Sequence, residues 1–304
     1  METALAVDIG GTKLAAGLVT DAGEVVASAT ASSRVEDGDR LFSVLLALVD
    51  SVGGNGEVPG LRGNGVAVCG VGCGGPMSPA GETVSPLNIP AWRGFPLRAR
   101  LAEATGLPTF VDNDAKALAL GEGWVGAAAG CDDFIAMVVS TGVGGGIVLD
   151  GRLLDGEGGN AGHIGHVCVE PEGRICACGA RGCLEAEASG TAIAAITGRP
   201  AAEAGPEVVA RTGRLVGRGV ASVANLLDLK LALVAGSVAL GFGEPFFAAA
   251  QAELDAQARL SFSAGARIRP GGLGASGPLV GAAAVGWRGL GHPVLGALTR
   301  AEHG

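Results

Sequence analysis

The stretch from Gly162 to Glu185 concentrates side chains that can bind a metal or a substrate. It reads GHIGHVCVEPEGRICACGARGCLE and holds two histidines, four cysteines and three carboxylates. One imidazole and three thiolates follow the spacing H-x9-C-x-C-x4-C, a donor set that suits a tetrahedral zinc ion. The spacing therefore predicts a structural zinc site with four ligands: His166, Cys176, Cys178 and Cys183.

Two other interpretations of these cysteines compete with zinc. A disulfide between Cys176 and Cys183 is disfavoured because we expect the protein in a reducing compartment. Unrelated buried thiols are disfavoured by the density of the cysteines. Four protein ligands leave no position open for a metal-bound water, so we expect the ion to fold the loop rather than to take part in chemistry. The remaining cysteines are predicted to be non-ligands: Cys69, Cys73, Cys131 and Cys168.

His163 and Glu185 lie in the same stretch but outside the predicted ligand set. A loop braced by zinc would hold both side chains in fixed positions, which favours a role as substrate contacts. The alternative is that both are solvated side chains on the surface.

Two glycine-rich turns follow apolar, strand-like runs of the sequence. The first is Asp8–Lys13 and the second is Ser140–Gly146. Glycines let backbone N–H groups approach a phosphate, a hydroxyl can donate to it, and an acidic side chain at the strand end can hold Mg²⁺ or its waters. The first turn has neither the Walker A nor the dinucleotide-binding spacing. Ordinary hairpin turns are the alternative, but two turns of one kind favour two similar halves that clamp one polyphosphate.

The run Asp112-Asn113-Asp114 stands between a predicted strand and a predicted helix, which is where α/β proteins place ligands. A carboxylate here can accept a proton from a substrate hydroxyl while the neighbouring amide fixes that hydroxyl. The alternative is a helix N-cap, because Asp and Asn are preferred capping residues. Taken alone the cap is favoured, and one residue can cap while another binds a ligand.

Composition excludes several classes of protein. The chain has 304 residues, 48% of them hydrophobic and 17% charged, which indicates a globular fold. A net charge of −9 without a basic run argues against binding nucleic acid. Its longest uncharged stretches are broken by glycines, and the N-terminus lacks a basic, apolar leader, so we expect no membrane span and a cytoplasmic location.

Helical patterns alternate with short apolar strands, which predicts the α/β class. Hairpins are predicted over 4–19 and 134–149, and a domain boundary falls near the helix that follows Asp114. The predicted domains are 1–116 with a C-terminal helix at about 288–304, and 117–287, which carries the zinc loop. Single strands are predicted over 65–73, 108–111 and 231–235, helices over 41–52, 115–123, 188–197 and 217–227, and loops over 200–206 and 267–277.

The chain resembles the ROK family of sugar kinases, which belongs to the hexokinase, Hsp70 and actin superfamily. The resemblance covers nearly the whole chain, and the GHIGH…CACGARGCLEAEASG block, which contains the zinc loop, is its most specific part. The other matching motifs are DIGGTK, GCGGPM, LNIPAW, VDNDA and STGVGGGI. It implies two ribonuclease-H-like α/β domains with a cleft between them, and ATP-dependent transfer of the γ-phosphoryl group to a sugar hydroxyl, usually the 6-OH.

The resemblance also implies roles for single residues. Asp114 matches the family's general base and Asn113 its sugar-holding amide. Other positions matching sugar contacts are Gly74, Gly75, Asn88, His166 and Glu185, and those in the two phosphate-facing turns are Asp8, Gly10, Gly11, Thr12, Lys13, Thr141 and Gly142. ATP, Mg²⁺ and structural Zn²⁺ are the implied cofactors, and a homodimer is usual for similar proteins.

Two departures bear on specificity. His163 stands where the family's glucokinases usually have Glu, whereas bacterial N-acetylmannosamine kinases read GHIGH as this chain does. The adenosine-side motif, commonly three glycines, is Ala235-Gly236-Ser237 here. We expect glucose or N-acetylmannosamine as the acceptor. A sugar-sensing repressor is the alternative, disfavoured because strand one begins by Leu5 without a helix-turn-helix segment, and a catalytically silent sugar-binding protein is another.

Overall fold

A computed structural model of the protein describes residues 2–53 and 65–296. The strands are β1 (Thr3–Ile9), β2 (Lys13–Thr20), β3 (Val25–Ser32), β4 (Val66–Cys73), β5 (Thr109–Asn113), β6 (Phe134–Val139), β7 (Val143–Leu149), β8 (Arg152–Leu153), β9 (Leu231–Ala235) and β10 (Arg267–Pro270). The α-helices are α1 (Gly38–Gly53), α2 (Leu97–Thr105), α3 (Asp114–Trp124), α4 (Leu184–Ala188), α5 (Gly190–Thr197), α6 (Pro206–Leu227), α7 (Ser237–Phe242), α8 (Glu244–Gln257) and α9 (Gly277–Gly289).

The chain forms two units, each with its own sheet. The first unit contains the residues up to Cys131, Arg152–Ala161 and the chain from Gly272 onward. The second contains Asp132–Gly151 and Gly162–Gly271. The α/β fold class is therefore confirmed.

A five-stranded mixed sheet in the order β3-β2-β1-β4-β5 forms the centre of the first unit. Strand β1 pairs antiparallel with β2 and parallel with β4, and β5 continues the parallel part beside β4. Since β1, β4 and β5 run parallel, their carboxyl ends meet at one edge of the sheet. That edge brings the ends of β1 and β5, with Asp8 and Asn113, close to each other.

Nearly continuous buried apolar runs in the central strands fill the core of the first unit. Residues of β1, β4 and α1 bury their side chains together, among them Leu5, Val7, Leu41, Leu45 and Val71. The fully buried Trp92 stacks on Phe95 with ring centroids 4.5 Å apart, and both belong to the same core.

Glycines explain how helix α9 returns to this sheet from far along the chain. A Cβ on Gly70 of β4 would lie 2.0 Å from the carbonyl oxygen of Ala282 in α9. A Cβ on Gly281 of α9 would lie 2.5 Å from the carbonyl oxygen of Ala117 in α3. Any larger side chain would clash with backbone atoms, so the absence of side chains lets α9 pack directly on β4 and α3.

In the second unit the sheet runs in the order β10-β9-β6-β7. Strand β6 pairs antiparallel with β7 and parallel with β9, and β9 pairs parallel with β10. This repeats the relation of β1 to β2, β4 and β5, which agrees with the duplication predicted from the two glycine turns. Helices α6 and α8 pack closely because Gly217 has no side chain. A Cβ there would lie 2.2 Å from the carbonyl oxygen of Ala250.

Both predicted hairpins and the predicted single strands are present, and so are helices over the four predicted stretches. Several observed elements were not predicted, namely β3, β8, α2, α4, α7 and α8, and two predicted elements differ from the observed ones. Helix α6 begins at Pro206, well before the predicted start at 217, and β10 lies in a segment predicted as a loop. Strand β10 was not evident from the sequence because only Ile268 of its four residues is buried, so the run lacks an apolar pattern.

The observed units differ from the predicted domain ranges. The first unit continues past 116 through all of α3, and the helix expected over about 288–304 is α9, which begins at Gly277 and ends at Gly289. Residues 290–296 are not helical, and 297–304 lie outside the described residues. The close packing of α9 on α3 accounts for the difference, because it ties both helices to one sheet.

Within the described ranges, no helix has the length and apolar character needed to cross a bilayer.

Candidate functional site

The β1–β2 turn of the first unit packs against the segment around Asn88. The backbone N–H of Gly10 donates to the carbonyl oxygen of Lys13 at 3.0 Å and closes the turn. A Cβ on Gly11 would lie 2.6 Å from the Cβ of Asn88, so a side chain there would displace Asn88. Thr12 and Lys13 are exposed. The turn thus presents a hydroxyl and an ammonium group beside a glycine backbone, a combination that suits phosphate.

Asp8 and Asp114 both lie beside Gly72 at the carboxyl edge of the first sheet. A Cβ on Gly72 would lie 3.7 Å from Oδ1 of Asp8 and 3.5 Å from the Cα of Asp114. Burial and the negative charge of Asp114 raise the pKa of Asp8 to about 7, and Lys13 offsets part of that rise. Two carboxylates that disfavour each other's charge suit a divalent cation, because the cation neutralises both.

Asn113 is the N-cap of α3, so the capping interpretation is correct for this residue. Its Oδ1 accepts hydrogen bonds from the backbone N–H groups of Ala115 at 3.0 Å and Lys116 at 3.4 Å. Oδ1 of Asp114 accepts from the N–H of Ala115 at 2.9 Å. Asp114 is the first residue of the helix and is exposed. A carboxylate at this position is electrostatically favoured at the helix N-terminus and reachable from solvent.

Gly74, Gly75 and Asn88 come together in the first unit. The backbone N–H of Leu87 donates to the carbonyl oxygen of Gly75 at 3.2 Å. A Cβ on Gly74 would lie 3.6 Å from the Cβ of Pro86. The segment after β4 and the segment around Asn88 therefore form one surface, which also contains the β1–β2 turn.

Arg93 holds the Asn88 segment in shape, a role that the sequence analysis missed. Its Nη1 donates to the carbonyl oxygens of Pro86, Ile89 and Trp92 at 2.9, 2.9 and 2.7 Å. These three carbonyl groups belong to residues on both sides of Asn88 in the sequence. An arginine one residue after the tryptophan in LNIPAWR was the only sequence signal for it.

In the second unit, Glu185 lies against the β6–β7 turn. Its Oε2 accepts a hydrogen bond from the backbone N–H of Val143 at 2.9 Å and would lie 2.7 Å from a Cβ on Gly142. The turn is closed by the N–H of Ser140, which donates to the carbonyl oxygen of Gly142 at 2.9 Å. Thr141 is exposed at its tip. A predicted substrate contact and a predicted phosphate-facing turn are therefore direct neighbours.

Gly236 follows β9 and lies against the end of β6. It has φ +99°, and a Cβ on it would lie 2.4 Å from the carbonyl oxygen of Val139, so only glycine is accommodated. The hydroxyl groups of Ser237 and Ser140 are 3.0 Å apart. The Ala235-Gly236-Ser237 segment and the β6–β7 turn thus share one end of the second sheet.

His163 precedes, and His166 ends, a short 3-10 helix, Ile164–His166, that packs on the same turn. The backbone N–H of His166 donates to the carbonyl oxygen of His163 at 3.0 Å, and the two ring centroids are 6.0 Å apart. A Cβ on Gly165 would lie 2.1 Å from the carbonyl oxygen of Val143. Gly165 therefore fixes both histidines close to the turn that Glu185 contacts.

The four predicted zinc ligands meet at one point. One donor atom from each of them lies within 4.8 Å of the other three. Sγ of Cys176 is 3.7 Å from Nδ1 of His166, and Sγ of Cys178 is 3.7 Å from Sγ of Cys183. All seven cysteines have free thiols, so the disulfide alternative is not observed. One imidazole and three thiols in this arrangement fit a tetrahedral zinc ion.

Cysteines predicted to be non-ligands lie outside this group. Cys69 and Cys73 are buried in β4, and Cys131 is in the first unit. Cys168 is exposed next to the loop, but it is not among the four residues of the group. Glycines at 179 and 182 with φ +90° and +72° make the turns that bring the cysteines together.

The structure gathers the predicted residues into one set on each unit. The set on the first unit is Asp8, Gly10, Gly11, Thr12, Lys13, Gly74, Gly75, Asn88, Asn113 and Asp114. The set on the second unit is Thr141, Gly142, His163, His166, Glu185 and Gly236.

Lys116 is a second residue of the site that the sequence pattern did not indicate. Its side chain is 2% exposed and lies 3.0 Å from Asp112, four residues earlier. That i,i+4 spacing of opposite charges in DNDAK was visible in the sequence, although it is common on exposed helix surfaces.

Proteins similar to this chain include glucokinases and N-acetylmannosamine kinases. A glucokinase of Thermotoga maritima is 40% identical over 196 residues, which is 62% of this chain and 58% of that protein. The alignment thus spans less than two thirds of that relative's length. An N-acetylmannosamine kinase of Citrobacter koseri is 38% identical over 257 residues, 79% of this chain and 84% of that protein.

A solved structure shares the fold over almost the entire chain. The crystal structure of a ROK family glucokinase from Streptomyces griseus, in complex with glucose and AMPPNP, matches with a TM-score of 0.81 and 29% sequence identity. The match covers 94% of this chain and 99% of that one. Since the model of the ROK family matches residues 4–287, the chain belongs to the ROK family.

Proposed function

We propose that the protein is an ATP-dependent sugar kinase that transfers the γ-phosphoryl group to the 6-hydroxyl of a hexose or N-acetylhexosamine. The observation that carries this proposal is the pair of Asp8 and Asp114 beside Gly72, next to a glycine turn. A kinase needs a base for the acceptor hydroxyl and a site for metal-bound phosphate, and here the two groups are neighbours. The names of the similar proteins support glucose or N-acetylmannosamine as acceptor.

Asp114 is proposed as the general base that accepts the proton of the sugar hydroxyl. It lies at the N-terminus of α3, where the amide of Asn113, the glycines Gly74 and Gly75, and Asn88 would hold the sugar. Phosphoryl transfer is catalysed mainly by alignment and charge neutralisation, so the fixed backbone around these residues is the main contribution of this unit.

The turn residues Gly10, Gly11, Thr12 and Lys13 are proposed to face the phosphates of ATP. Asp8 would hold Mg²⁺ directly or through water, which suits a partly buried carboxyl whose pKa is raised by burial and by Asp114. Mg²⁺ would supply neutralisation of the phosphate charge.

For the second unit we propose two functions. Thr141, Gly142 and Gly236 would bind the nucleotide, while His163, His166 and Glu185 would contact the sugar hydroxyls. A structural Zn²⁺ held by His166, Cys176, Cys178 and Cys183 would keep the loop before Glu185 in one shape. A cytoplasmic location and a homodimer belong to the same proposal.

A coupled ATP assay across glucose, mannose, N-acetylglucosamine and N-acetylmannosamine tests the proposal. We expect turnover with at least one sugar. The Asp114→Asn variant should lose activity by a factor on the order of 100 or more, the usual contribution of a general base. The same variant should still bind the sugar, measured by calorimetry.

Two results would contradict the assignment. Full activity of Asp114→Asn would exclude Asp114 as the base. Sugar binding by the unmodified protein without turnover on any of the four sugars would instead indicate a sugar-responsive regulator or a silent binding protein.

A further inference from the structure

Lys116 is a buried cation at the centre of a network of ion pairs in the first unit. Its Nζ is 2.7 Å from Oδ1 of Asp155 and 3.0 Å from Oδ1 of Asp112, and it donates to the carbonyl oxygen of Gly159 at 3.0 Å. The side chain is 2% exposed. Lysine is almost never fully buried unless it is paired, and here three acceptor oxygens lie within 3.0 Å of its ammonium nitrogen.

The first arm of the network runs through Asp112 to the proposed base. Oδ1 of Asp112, the atom that contacts Lys116, also accepts the backbone N–H of Asn113 at 2.8 Å. Asn113 in turn caps α3, and the next residue is Asp114. The backbone position of Asp114 is therefore linked to the ion pair of Lys116 and Asp112 through the hydrogen bonds of Asp112 and Asn113.

The second arm holds residues 155–161 on the first unit. Asp155 is bound by Lys116 and also by Nη2 of Arg288 at 3.1 Å. Asn160 of the same segment donates to the carbonyl oxygen of Met77 at 3.2 Å and accepts from its N–H at 3.4 Å. Lys116 thus connects α3 to a segment that is distant in sequence.

We propose that Lys116 is a positioning residue for phosphoryl transfer, fixing the Asp112-Asn113-Asp114 run through Asp112. This inference rests on the proposed kinase function, because it assigns Lys116 to the base of that reaction. Removing the ammonium leaves the carboxylate of Asp112 buried at 14% exposure beside Asn113, with only the more distant Arg288 at 3.8 Å. Such a carboxylate is stabilised when it turns toward water. That movement removes the acceptor of the Asn113 N–H.

A purely structural role makes a different prediction. If Lys116 only neutralised charge in the core, its loss would lower the free energy of unfolding but leave kcat of the folded fraction unchanged. Misplacement of a catalytic group by about 1 Å costs on the order of 100-fold in rate. A positioning role therefore requires a fall in kcat at temperatures where the variant is folded.

Three variants separate these possibilities. Lys116→Met removes the ammonium with a similar side-chain length. Asp155→Asn weakens the second arm and leaves the contact of Lys116 with Asp112. Lys230→Met is the matched control, because the Lys230 ammonium donates to the carbonyl oxygen of Ala264 at 2.8 Å in an exposed part of the second unit.

Each variant is measured in two ways: kcat and KM with the best sugar, and hydrogen–deuterium exchange read by mass spectrometry over peptides of 109–116 and 155–161. We expect Lys116→Met to lower kcat on the order of 100-fold, to change the KM for ATP by less than about threefold, and to speed exchange in both peptides. We expect Asp155→Asn to speed exchange over 155–161 and to lower kcat far less. Lys230→Met should match the unmodified protein.

The exchange measurement keeps this inference separate from the proposed function. If no sugar is turned over, the kinase proposal fails. Faster exchange at 109–116 in Lys116→Met would then still support the claim that Lys116 anchors this backbone, but the role in phosphoryl transfer would be overturned. Unchanged exchange at 109–116 overturns the positioning role even if the kinase is active. Equal losses of kcat in Lys116→Met and Asp155→Asn also overturn it, because the first arm would then not be responsible.

Discussion

Oε2 of Glu185 accepts a hydrogen bond from the backbone N–H of Val143 at 2.9 Å. The same oxygen lies 2.7 Å from the position of a Cβ on Gly142. One carboxylate oxygen is therefore used to hold the β6–β7 turn, and the glycine next to it gives the carboxylate room. The relationship gives Glu185 a structural role in addition to its proposed contact with the sugar.

The two roles of Glu185 respond differently to substitution. Glu185→Gln keeps an oxygen that accepts the Val143 N–H, whereas Glu185→Ala leaves that N–H without its partner. We expect Glu185→Ala to lower the free energy of unfolding by about 1–3 kcal/mol, and Glu185→Gln to lower it by much less, both measured by urea denaturation. Both variants should raise the KM for the sugar. An unchanged KM for the sugar in Glu185→Gln would contradict the proposed contact between Glu185 and the sugar.

The predicted zinc site can be tested by metal analysis of the purified protein. We expect about one zinc per chain, as four protein ligands at one point require. Cys178→Ser should lose the metal and lower the midpoint of thermal unfolding, because metal binding and loop folding are coupled. Cys168→Ser is the control, since the thiol is in the same stretch but outside the ligand group, and it should keep the zinc. Full zinc content in Cys178→Ser would contradict the ligand assignment.

A methyl group at position 11 tests the β1–β2 turn. Gly11→Ala places a Cβ 2.6 Å from the Cβ of Asn88, so the turn and the Asn88 segment must move apart. We expect kcat/KM to fall at least about tenfold, since both segments are proposed to hold substrates. Gly241→Ala, where a Cβ meets nothing within 4 Å, should behave like the unmodified protein. Equal activity of the two variants would indicate that the turn does not bind substrate.

Local patterns explain why the hairpins and the metal ligands could be predicted from sequence. A glycine turn between two apolar runs specifies β1–β2 and β6–β7 with residues that are close in the chain. His166 and the three cysteines of the metal group lie within one short stretch, so their spacing is enough to show that their side chains can meet. The roles expected for individual residues came instead from the family motifs, because local patterns do not indicate them.

Contacts between distant residues explain what the sequence did not reveal. Lys116 meets Asp155, which is 39 positions away, and no pattern in the sequence links the two. A lysine after the DND run suggests a solvated helix face, because most lysines are exposed. Likewise, the return of α9 to the first unit depends on Gly70 and Gly281, whose importance lies in the backbone atoms they meet.

The ion pair of Asp155 predicts a pH dependence of stability. Burial alone would raise the pKa of Asp155, but Lys116 and Arg288 outweigh it and hold the pKa below its ordinary value of 3.8. A carboxyl with a lowered pKa in the folded state stabilises the fold above its unfolded pKa, and that contribution is lost as the pH falls through the folded pKa. We expect Asp155→Asn to be less stable than the unmodified protein at pH 6, and the difference to shrink as the pH falls below 4. Urea denaturation at a series of pH values measures it. A stability difference that stays constant down to pH 3 would contradict this prediction. It would show that the contacts of Asp155 with Lys116 and Arg288 do not depend on its ionisation.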